Sequence, residues 1–265
     1  MSERKIPEGL VLDGVQIQYR TAGDVVTAVD DVHLTVNPGE TVGLVGESGC
    51  GKSTLAKAIC GLVPVSSGSI HYQGTLIRSL GFAKRPLPLQ RIQMVFQNPY
   101  ASLNPRRKIG AQIEDARSIN PGDAPTVEKL LTMVELPIGS ANLYARQLSG
   151  GQRQRVAIAR AMATGPSLLI GDEPIASLDA SLQSKVAMLM KKITTESGAA
   201  MLFISHDLSV VRLIADRLYV MHSGRIVVEG DTETIWDDPQ NHYTKRLLAS
   251  IPVPDGEGHL PQVIA

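Results

Sequence analysis

The stretch GESGCGKSTLAK, residues 46–57, decides the fold class of this chain. An apolar run at 41–46 precedes it and is typical of a buried strand, whereas residues 53–62 are typical of a helix. Four residues fill the pattern G-x-x-x-x-G-K-[ST]: Gly46, Gly51, Lys52 and Ser53. Backbone N–H groups of such a loop bind phosphate oxygens, Lys52 reaches the terminal phosphates, and the Ser53 hydroxyl is a ligand for Mg²⁺. The sequence therefore predicts a nucleotide-phosphate site.

The length and composition limit which classes of protein are possible. With 265 residues, 43% of them hydrophobic, the chain is long enough for a full core in one large domain or two small ones. Its 26 basic residues balance 26 acidic ones, so no broad basic surface supports nucleic-acid binding by counterion release. We therefore expect no nucleic-acid partner.

The two cysteines, Cys50 and Cys60, form neither a disulfide framework nor a C-x-x-C pair. This pattern favours a protein of the reducing cytosol. The N-terminal residues 1–10 lack an apolar signal region, and no run approaches the roughly 18 apolar residues of a membrane span. We expect a soluble chain whose membrane role, if any, comes through a partner.

Residue patterns divide the chain into regions. Alternating runs at 11–19 and 31–36 predict strands of an N-terminal sheet, and the segment 66–70 predicts a turn before another strand of that sheet. From about 98 to 148, proline-rich turns alternate with helical patches such as 127–136, which predicts an inserted helical subdomain.

Strand and helix patterns alternate again after this insertion. Strand-bearing pieces lie at 167–174, 199–207 and 217–227, around helices at 179–195 and 208–215. This alternation predicts a mostly parallel α/β core. The tail 252–265 is rich in proline and glycine, and we expect it to be poorly ordered.

Two further motifs carry chemistry. The run LLIGDE at 168–173 is a buried strand ending in two carboxylates, where Asp172 would hold Mg²⁺ and Glu173 would lie beside the attacking water. In LSGGQRQRVAIARAM, residues 148–162, a serine and two glycines open a helix and form a second anion site. Taken alone, Ser149 is better explained as a helix N-cap and the glycines as a loop.

The complete string at 148–162 closely resembles the signature of ATP-binding-cassette (ABC) ATPases, and neighbouring motifs follow in the family's order across nearly the whole chain. Tyr19 matches the aromatic residue that stacks on adenine, and Gln97 matches the Q-loop glutamine that contacts Mg²⁺ and water. Asp179 matches the D-loop aspartate, and His206 matches the switch histidine. Taken singly, these residues would be better explained by structural roles: strand packing for Tyr19, a polar loop residue for Gln97 and a capping histidine for His206.

The resemblance implies an α/β fold: an ABC ATPase nucleotide-binding domain with a RecA-like parallel-sheet core, an N-terminal antiparallel β subdomain and an inserted α-helical subdomain. We expect one domain over 1–250, its helical subdomain at about 98–162, and a short tail at 251–265.

The resemblance to ABC ATPases also implies ATP and Mg²⁺ as ligands. The expected catalytic residues are Glu173, His206, Gln97 and Lys52. The expected Mg²⁺ ligands are Ser53, Gln97 and Asp172. The expected nucleotide contacts are Tyr19, Gly46, Glu47, Ser48, Gly49, Cys50, Gly51, Lys52, Ser53, Thr54, Ser149, Gly150, Gly151, Gln152 and Asp179.

In this family the signature of one chain closes over the phosphate loop of another, so ATP joins two ATPase domains and hydrolysis releases them. The chain has one of each motif and is expected to need a second ATPase subunit. Whether that subunit is a copy or a related chain stays open, as does whether both ATP sites hydrolyse.

Three segments resemble a narrower group, the ATPase subunits of bacterial oligopeptide, dipeptide and nickel importers. They are FQNPYASLNPRRKIG at 96–110, HYTKRLLASIP at 242–252 and AVDDVHLTV at 28–36. The resemblance implies two permease subunits, an extracytoplasmic substrate-binding protein and a peripheral location on the cytoplasmic face of the inner membrane. The cargo stays open between peptides, nickel and metal-opine chelates.

The loop after Gln97 is well placed to carry the ATP state to a permease, with Tyr100 and Leu103 lining a groove for a permease helix. The alternative is an ordinary exposed loop in which Arg106 and Arg107 are solvated charges.

This sequence departs from the group at some positions. IASLD at 175–179 replaces TSALD, Gly171 replaces alanine, and Asn241 and His242 replace histidine and proline. No cysteine follows Cys60, so we expect no iron–sulfur cluster. The alternative function is a soluble ABC ATPase acting on ribosomes or DNA. An inactive scaffold subunit would require a lost catalytic residue, and none is lost.

Overall fold

A computed structural model of the chain describes residues 8–20, 23–82, 84–98, 102–120 and 124–251. The strands are β1 (Leu10–Arg20), β2 (Val25–Val36), β3 (Thr41–Val45), β4 (Ser67–Tyr72), β5 (Thr75–Leu76), β6 (Ile92–Val95), β7 (Leu168–Asp172), β8 (Ala200–Ser205), β9 (Arg217–His222) and β10 (Arg225–Asp231). The helices are α1 (Lys52–Ile59), α2 (Leu87–Gln90), α3 (Ile109–Arg117), α4 (Val127–Met133), α5 (Gly150–Met162), α6 (Ala180–Ser197), α7 (Leu208–Ile214), α8 (Thr232–Asp237) and α9 (His242–Ala249). Short 3-10 helices lie at Ile138–Asn142 and Ala145–Gln147.

The smaller sheet is antiparallel, with strand order β2-β1-β4-β5. Leu10, Leu12, Val15 and Ile17 of β1 are buried, and they share one apolar cluster with residues of β3 and α1. The sheet therefore packs on the element that follows the phosphate loop. This confirms the strands predicted at 11–19 and 31–36 and the N-terminal antiparallel subdomain.

The turn predicted at 66–70 is wrong, because β4 already begins at Ser67. Gly68 has a φ of +77°, and a Cβ there would lie 2.1 Å from the carbonyl oxygen of Gly14 on β1. The glycine thus permits a close approach of two strands, and glycine serves this purpose inside strands as well as in turns.

The larger sheet has the order β10-β9-β3-β8-β7-β6, parallel except for β10. Every residue of β3, β7 and β8 is buried, as expected for parallel strands covered on both faces. Because parallel strands end at the same edge, the segments that follow β3, β6, β7 and β8 converge there. Ligands of open α/β sheets bind at this edge.

The piece 217–227, predicted as strand-bearing, forms two strands. Ser223 and Gly224 separate β9 from β10, and both have positive φ values, 47° and 85°. A tight hairpin with a two-residue loop requires this conformation. The hairpin adds β10 as an antiparallel edge strand.

The helices α3, α4 and α5 lie between β6 and β7, which confirms the predicted helical insertion. Their buried residues, including Ile113, Leu130 and Val156, belong to the apolar cluster that also contains the inner face of α6. Within the described residues no helix has both the length and the apolar character needed to cross a membrane. The predicted tail at 252–265 lies outside the described residues.

Candidate functional site

The phosphate loop connects β3 to α1 through glycines with positive φ. Gly46 has a φ of 152° and Gly51 a φ of 111°. A Cβ at Gly46 would lie 2.1 Å from the carbonyl oxygen of Met221, and one at Gly51 would lie 2.3 Å from that of Ala28. The loop therefore requires glycine at both positions, for conformation and for space.

Lys52, the first residue of α1, carries a buried ammonium group with only 4% of the residue exposed. Its Nζ donates to the carbonyl oxygens of Gly46, at 2.7 Å, and Glu47, at 2.9 Å. It also lies 3.8 Å from the Cys50 Sγ. A buried cation paired with neutral acceptors favours an incoming anion, because charge-assisted hydrogen bonds are the stronger ones.

Ser53 and Asp172 meet at the end of β7. The Ser53 hydroxyl donates to Asp172 Oδ1 at 2.7 Å. Burial raises the pKa of the Asp172 carboxyl, while the Ser53 hydrogen bond and the charges of Lys57 and Lys52 act in the opposite direction. Two hard oxygen donors beside a phosphate loop fit Mg²⁺, which takes one or two protein oxygens and completes its shell with phosphates and water.

Glu173 and His206 form a second pair at this edge. Glu173 Oε2 lies 2.7 Å from His206 Nδ1, and the side chain of Glu173 is far less exposed than that of His206, 14% against 59%. Glu173 has a φ of +48°, uncommon for a residue with a side chain, and its N–H donates to Ile204 on β8 at 3.0 Å. The left-handed backbone turns the carboxylate toward His206 at the end of the adjacent strand.

One cavity of about 390 Å³ has Lys52, Ser53 and the Glu173–His206 pair in its wall. Its lining residues are Ala28, Ser48, Gly49, Gly51, Lys52, Ser53, Thr54, Gln97, Glu173 and His206. The structure thus brings Gln97, Glu173 and His206 to the phosphate loop, although these residues lie far apart in the sequence. Ala28 was not predicted, since a small residue on a strand gives no chemical signal.

Other predicted site residues do not line this cavity. Tyr19 lies near the end of β1 and is 40% exposed. Ser149 caps α5, its hydroxyl accepting from Gln152 N at 3.3 Å while Gln152 Oε1 accepts from Ser149 N at 2.9 Å. Asp179 stands at the N-cap of α6 without a side-chain capping bond. Ser149 and Asp179 are exposed, so within one chain they are presented at the surface.

The loop after Gln97 is only partly as predicted. Leu103 is 4% exposed and packs in the apolar core, so the expectation that it lines an open groove is wrong. Tyr100 lies outside the described residues. A groove of about 370 Å³ does lie there, lined by Ser102, Asn104, Arg107, Gln112, Asp115, Ala116, Ile119 and Arg160.

A phosphate loop on a parallel sheet, with a strand-end carboxylate pair and a histidine, defines a P-loop nucleotide hydrolase. A family profile described as "ABC transporter" matches residues 29–176. The chain belongs to the ABC transporter family and is an ATPase of that family, which confirms the resemblance, the fold class and the enzyme class.

The named relatives are transport ATP-binding proteins. The chain is 48% identical over 239 residues to the oligopeptide transport ATP-binding protein OppF of Lactococcus lactis subsp. lactis strain IL1403, covering 88% of this chain and 75% of that one. It is 43% identical over 244 residues to OppF of Bacillus subtilis strain 168, covering 89% and 80%. A putative peptide import ATP-binding protein of Brucella abortus strain 2308 is 42% identical over 234 residues, covering 86% and 70%.

Solved structures agree with the fold. The ATP-binding cassette MJ0796, solved as a dimer in a post-hydrolysis state with ADP and Pi, has a TM-score of 0.73 and 29% identity, covering 84% of this chain and 98% of that one. CbiO1 from Clostridium perfringens, part of an ABC transporter complex, has a TM-score of 0.71 and 25% identity, covering 86% and 90%.

Proposed function

We propose that this chain is the ATP-hydrolysing subunit of a bacterial ABC importer of peptides. The observation that carries the proposal is the cavity in which the phosphate loop meets the Glu173–His206 pair. The chain that contains it is 42–48% identical to proteins named for oligopeptide transport or peptide import. These names favour peptides over nickel or metal-opine chelates as cargo.

The phosphates of ATP bind at the loop between β3 and α1. Backbone N–H groups of the glycine-rich turn and the N-terminus of α1 are donors for phosphate oxygens. The buried ammonium of Lys52 then donates to a charged phosphate oxygen in place of a neutral carbonyl oxygen. Ser53, Asp172 and Gln97 would hold Mg²⁺, which would supply neutralisation of the phosphate charge.

Glu173 orients the water that attacks the γ-phosphorus and accepts its proton while the bond to the ADP oxygen breaks. When His206 is neutral with its proton on Nδ1, it donates to Glu173 and fixes the direction of the carboxylate. His206 is also the residue expected beside the γ-phosphate. The pair therefore links phosphate sensing to the position of the base.

The catalytic unit is a sandwich of two ATPase subunits. Ser149 and Asp179 are exposed and lie outside the cavity of their own chain, as residues that act on a partner's ATP must. The relative MJ0796 forms a dimer in its ADP and Pi state. The second subunit is either a copy of this chain or a related ATPase.

The groove near residues 102–119 is the docking site for a permease. Gln112 stiffens it: its side chain accepts from Asn104 N at 2.8 Å and donates to the carbonyls of Asn104, at 3.1 Å, and Arg107, at 3.0 Å. Because this loop follows Gln97 in sequence, a change at the cavity is coupled to the groove along the chain. The chain then works at the cytoplasmic face of the inner membrane with two permease subunits. A substrate-binding protein delivers the cargo to these permease subunits.

Affinity purification tests the proposal. A tagged Glu173→Gln chain is expressed in its native bacterium, solubilised in mild detergent with ATP and analysed by mass spectrometry. We expect two permease subunits and a second ATPase, enriched over a tagged Lys52→Ala chain. Recovery of ribosomal or DNA-repair proteins without a membrane protein would contradict transport.

Uptake assays identify the cargo. A strain lacking this chain should lose uptake of labelled oligopeptides and regain it with the wild-type chain but not with Glu173→Gln. Loss of nickel uptake with unchanged peptide uptake would contradict the peptide assignment.

A further inference from the structure

Helix α9 contacts the phosphate loop through Tyr243. The backbone N–H of Glu47 donates to the Tyr243 hydroxyl oxygen at 3.1 Å, across 196 positions of sequence. Tyr243 is not among the residues that line the nucleotide cavity. It therefore supports the loop from outside, where it is not positioned to act on phosphates itself.

Glu47 is held from both sides. Its N–H donates to Tyr243, and its carbonyl oxygen accepts from Lys52 Nζ at 2.9 Å and from Cys50 N at 3.3 Å. The Glu47 N–H lies in one peptide plane with the Gly46 carbonyl, so fixing this N–H also fixes the direction of the carbonyl that accepts from Lys52 Nζ at 2.7 Å. Tyr243 is thereby connected to the ammonium of Lys52 through a single peptide group.

Tyr243 is itself held in place by two contacts. Its ring stacks on His222 at the end of β9, with centroids 4.0 Å apart and planes inclined by 38°. Asn241 caps α9, its Oδ1 accepting from Tyr243 N at 2.9 Å and from Thr244 N at 3.3 Å. Asn241, a departure from the related importers, therefore contributes to the position of Tyr243.

The β9–β10 hairpin covers the same side of the loop. The N–H of Gly224 donates to the Cys50 carbonyl at 3.0 Å, and the Met221 carbonyl packs against Gly46 so closely that no Cβ fits between them. The loop thus rests on backbone contacts from the hairpin and one side-chain contact from α9. Of these, only the side-chain contact is removable by substitution without altering the hairpin.

We propose that Tyr243 is a positioning residue for ATP binding: its hydroxyl holds the Gly46–Glu47 peptide group, whose carbonyl orients Lys52, so nucleotide affinity depends on the docking of α9. The inference rests on the proposed nucleotide site and adds to it a residue in the C-terminal helix. Tyr243 does not line the nucleotide cavity, so its effect on ATP passes through the phosphate loop.

The substitution Tyr243→Phe tests this inference, because it keeps the ring and its stacking on His222 and removes only the hydroxyl. Two measurements are made: hydrogen exchange at the Glu47 amide without nucleotide, and steady-state ATP hydrolysis. We expect exchange at Glu47 to accelerate and KM for ATP to rise about two- to tenfold, the range for loss of one hydrogen bond, with a smaller change in kcat.

Tyr72→Phe is the matched control, since Tyr72 is a buried tyrosine whose hydroxyl donates to Ser167 Oγ at 2.8 Å, away from the loop. It should leave KM and Glu47 exchange unchanged. An unchanged KM in Tyr243→Phe, or an equal rise in Tyr72→Phe, overturns the inference. Failure of the wild-type chain to bind ATP would contradict the proposed nucleotide site instead, while exchange at Glu47 still reports on the contact.

Discussion

His206 Nδ1 lies 2.7 Å from Glu173 Oε2, and this contact joins the ends of two adjacent parallel strands at the wall of the nucleotide cavity. The two residues lie close together because β7 and β8 are paired in register up to Asp172 and Ile204. The sheet itself therefore sets the distance between the proposed base and the proposed phosphate sensor.

The substitution Glu173→Gln should lower the rate of ATP hydrolysis by about a hundredfold or more, the range for loss of a general base, while ATP still binds. The amide keeps the size of the side chain but accepts no proton from water. Phosphate release measures the rate, and a fluorescent ATP analogue measures binding. Glu196→Gln, on the exposed face of α6, is the control and should hydrolyse normally. Normal turnover in Glu173→Gln would remove Glu173 from the mechanism.

The substitution Lys52→Ala should weaken ATP binding by about tenfold to a hundredfold, as expected for losing charged hydrogen bonds to phosphate. It also leaves the carbonyls of Gly46 and Glu47 without their ammonium donor. Equilibrium binding of ATP measures the effect, with Lys192→Ala on α6 as the control because Lys192 is largely exposed. Equal affinities for Lys52→Ala and wild type would refute the phosphate-loop assignment.

The sequence predicted best what is local. The strands β3, β7 and β8 were found because parallel strands buried on both faces are continuous apolar runs. The segment 66–70 was misassigned because glycine marks both turns and close strand contacts. The phosphate-loop and strand-end residues that line the cavity lie within short motifs, which is why sequence patterns could single them out.

Long-range contacts could not be predicted in the same way. Tyr243 and Glu47 are 196 positions apart, and no periodicity in the sequence indicates that they meet. Likewise the positive φ of Glu173 is imposed by its position after β7 and not by its residue type. Both features depend on tertiary packing, which a single sequence does not display.

Asp172 should make the stability of the ligand-free protein fall as pH rises. Burial raises its pKa in the folded chain above the ordinary value of 3.8, so the folded state binds more protons than the unfolded state between those two pKa values. Stability from this group is therefore full below the unfolded pKa and is lost as pH rises through the folded one. Urea unfolding without Mg²⁺ should show the stability of Asp172→Asn increasing relative to wild type as the pH is raised above about 4. A difference that is constant or shrinks with pH would contradict this.

The substitution Asn241→Ala should destabilise the protein by about 1 kcal/mol through loss of a helix cap, and it should also raise KM for ATP because the cap bonds Tyr243. Asp231→Ala is the matched control: its carboxylate caps α8 through Thr234 N at 3.0 Å, so that variant should lose stability without a change in KM. Thermal unfolding and ATPase kinetics separate the two effects. Equal KM values in the two variants would show that the cap of α9 has no specific effect on the nucleotide site.

The substitution Ser149→Asp should separate binding from turnover. Aspartate is as good an N-cap as serine, so α5 should keep its first turn, but its carboxylate would repel the phosphates of the ATP held by the opposite subunit. Because Ser149 does not line the cavity of its own chain, ATP binding by the isolated chain should be unchanged while ATPase activity of the assembled transporter is lost. Thr126→Asp, which places an aspartate at the N-cap of α4, should retain activity. If the isolated Ser149→Asp chain lost its affinity for ATP, the signature would act within one chain and the two-subunit sandwich would be wrong.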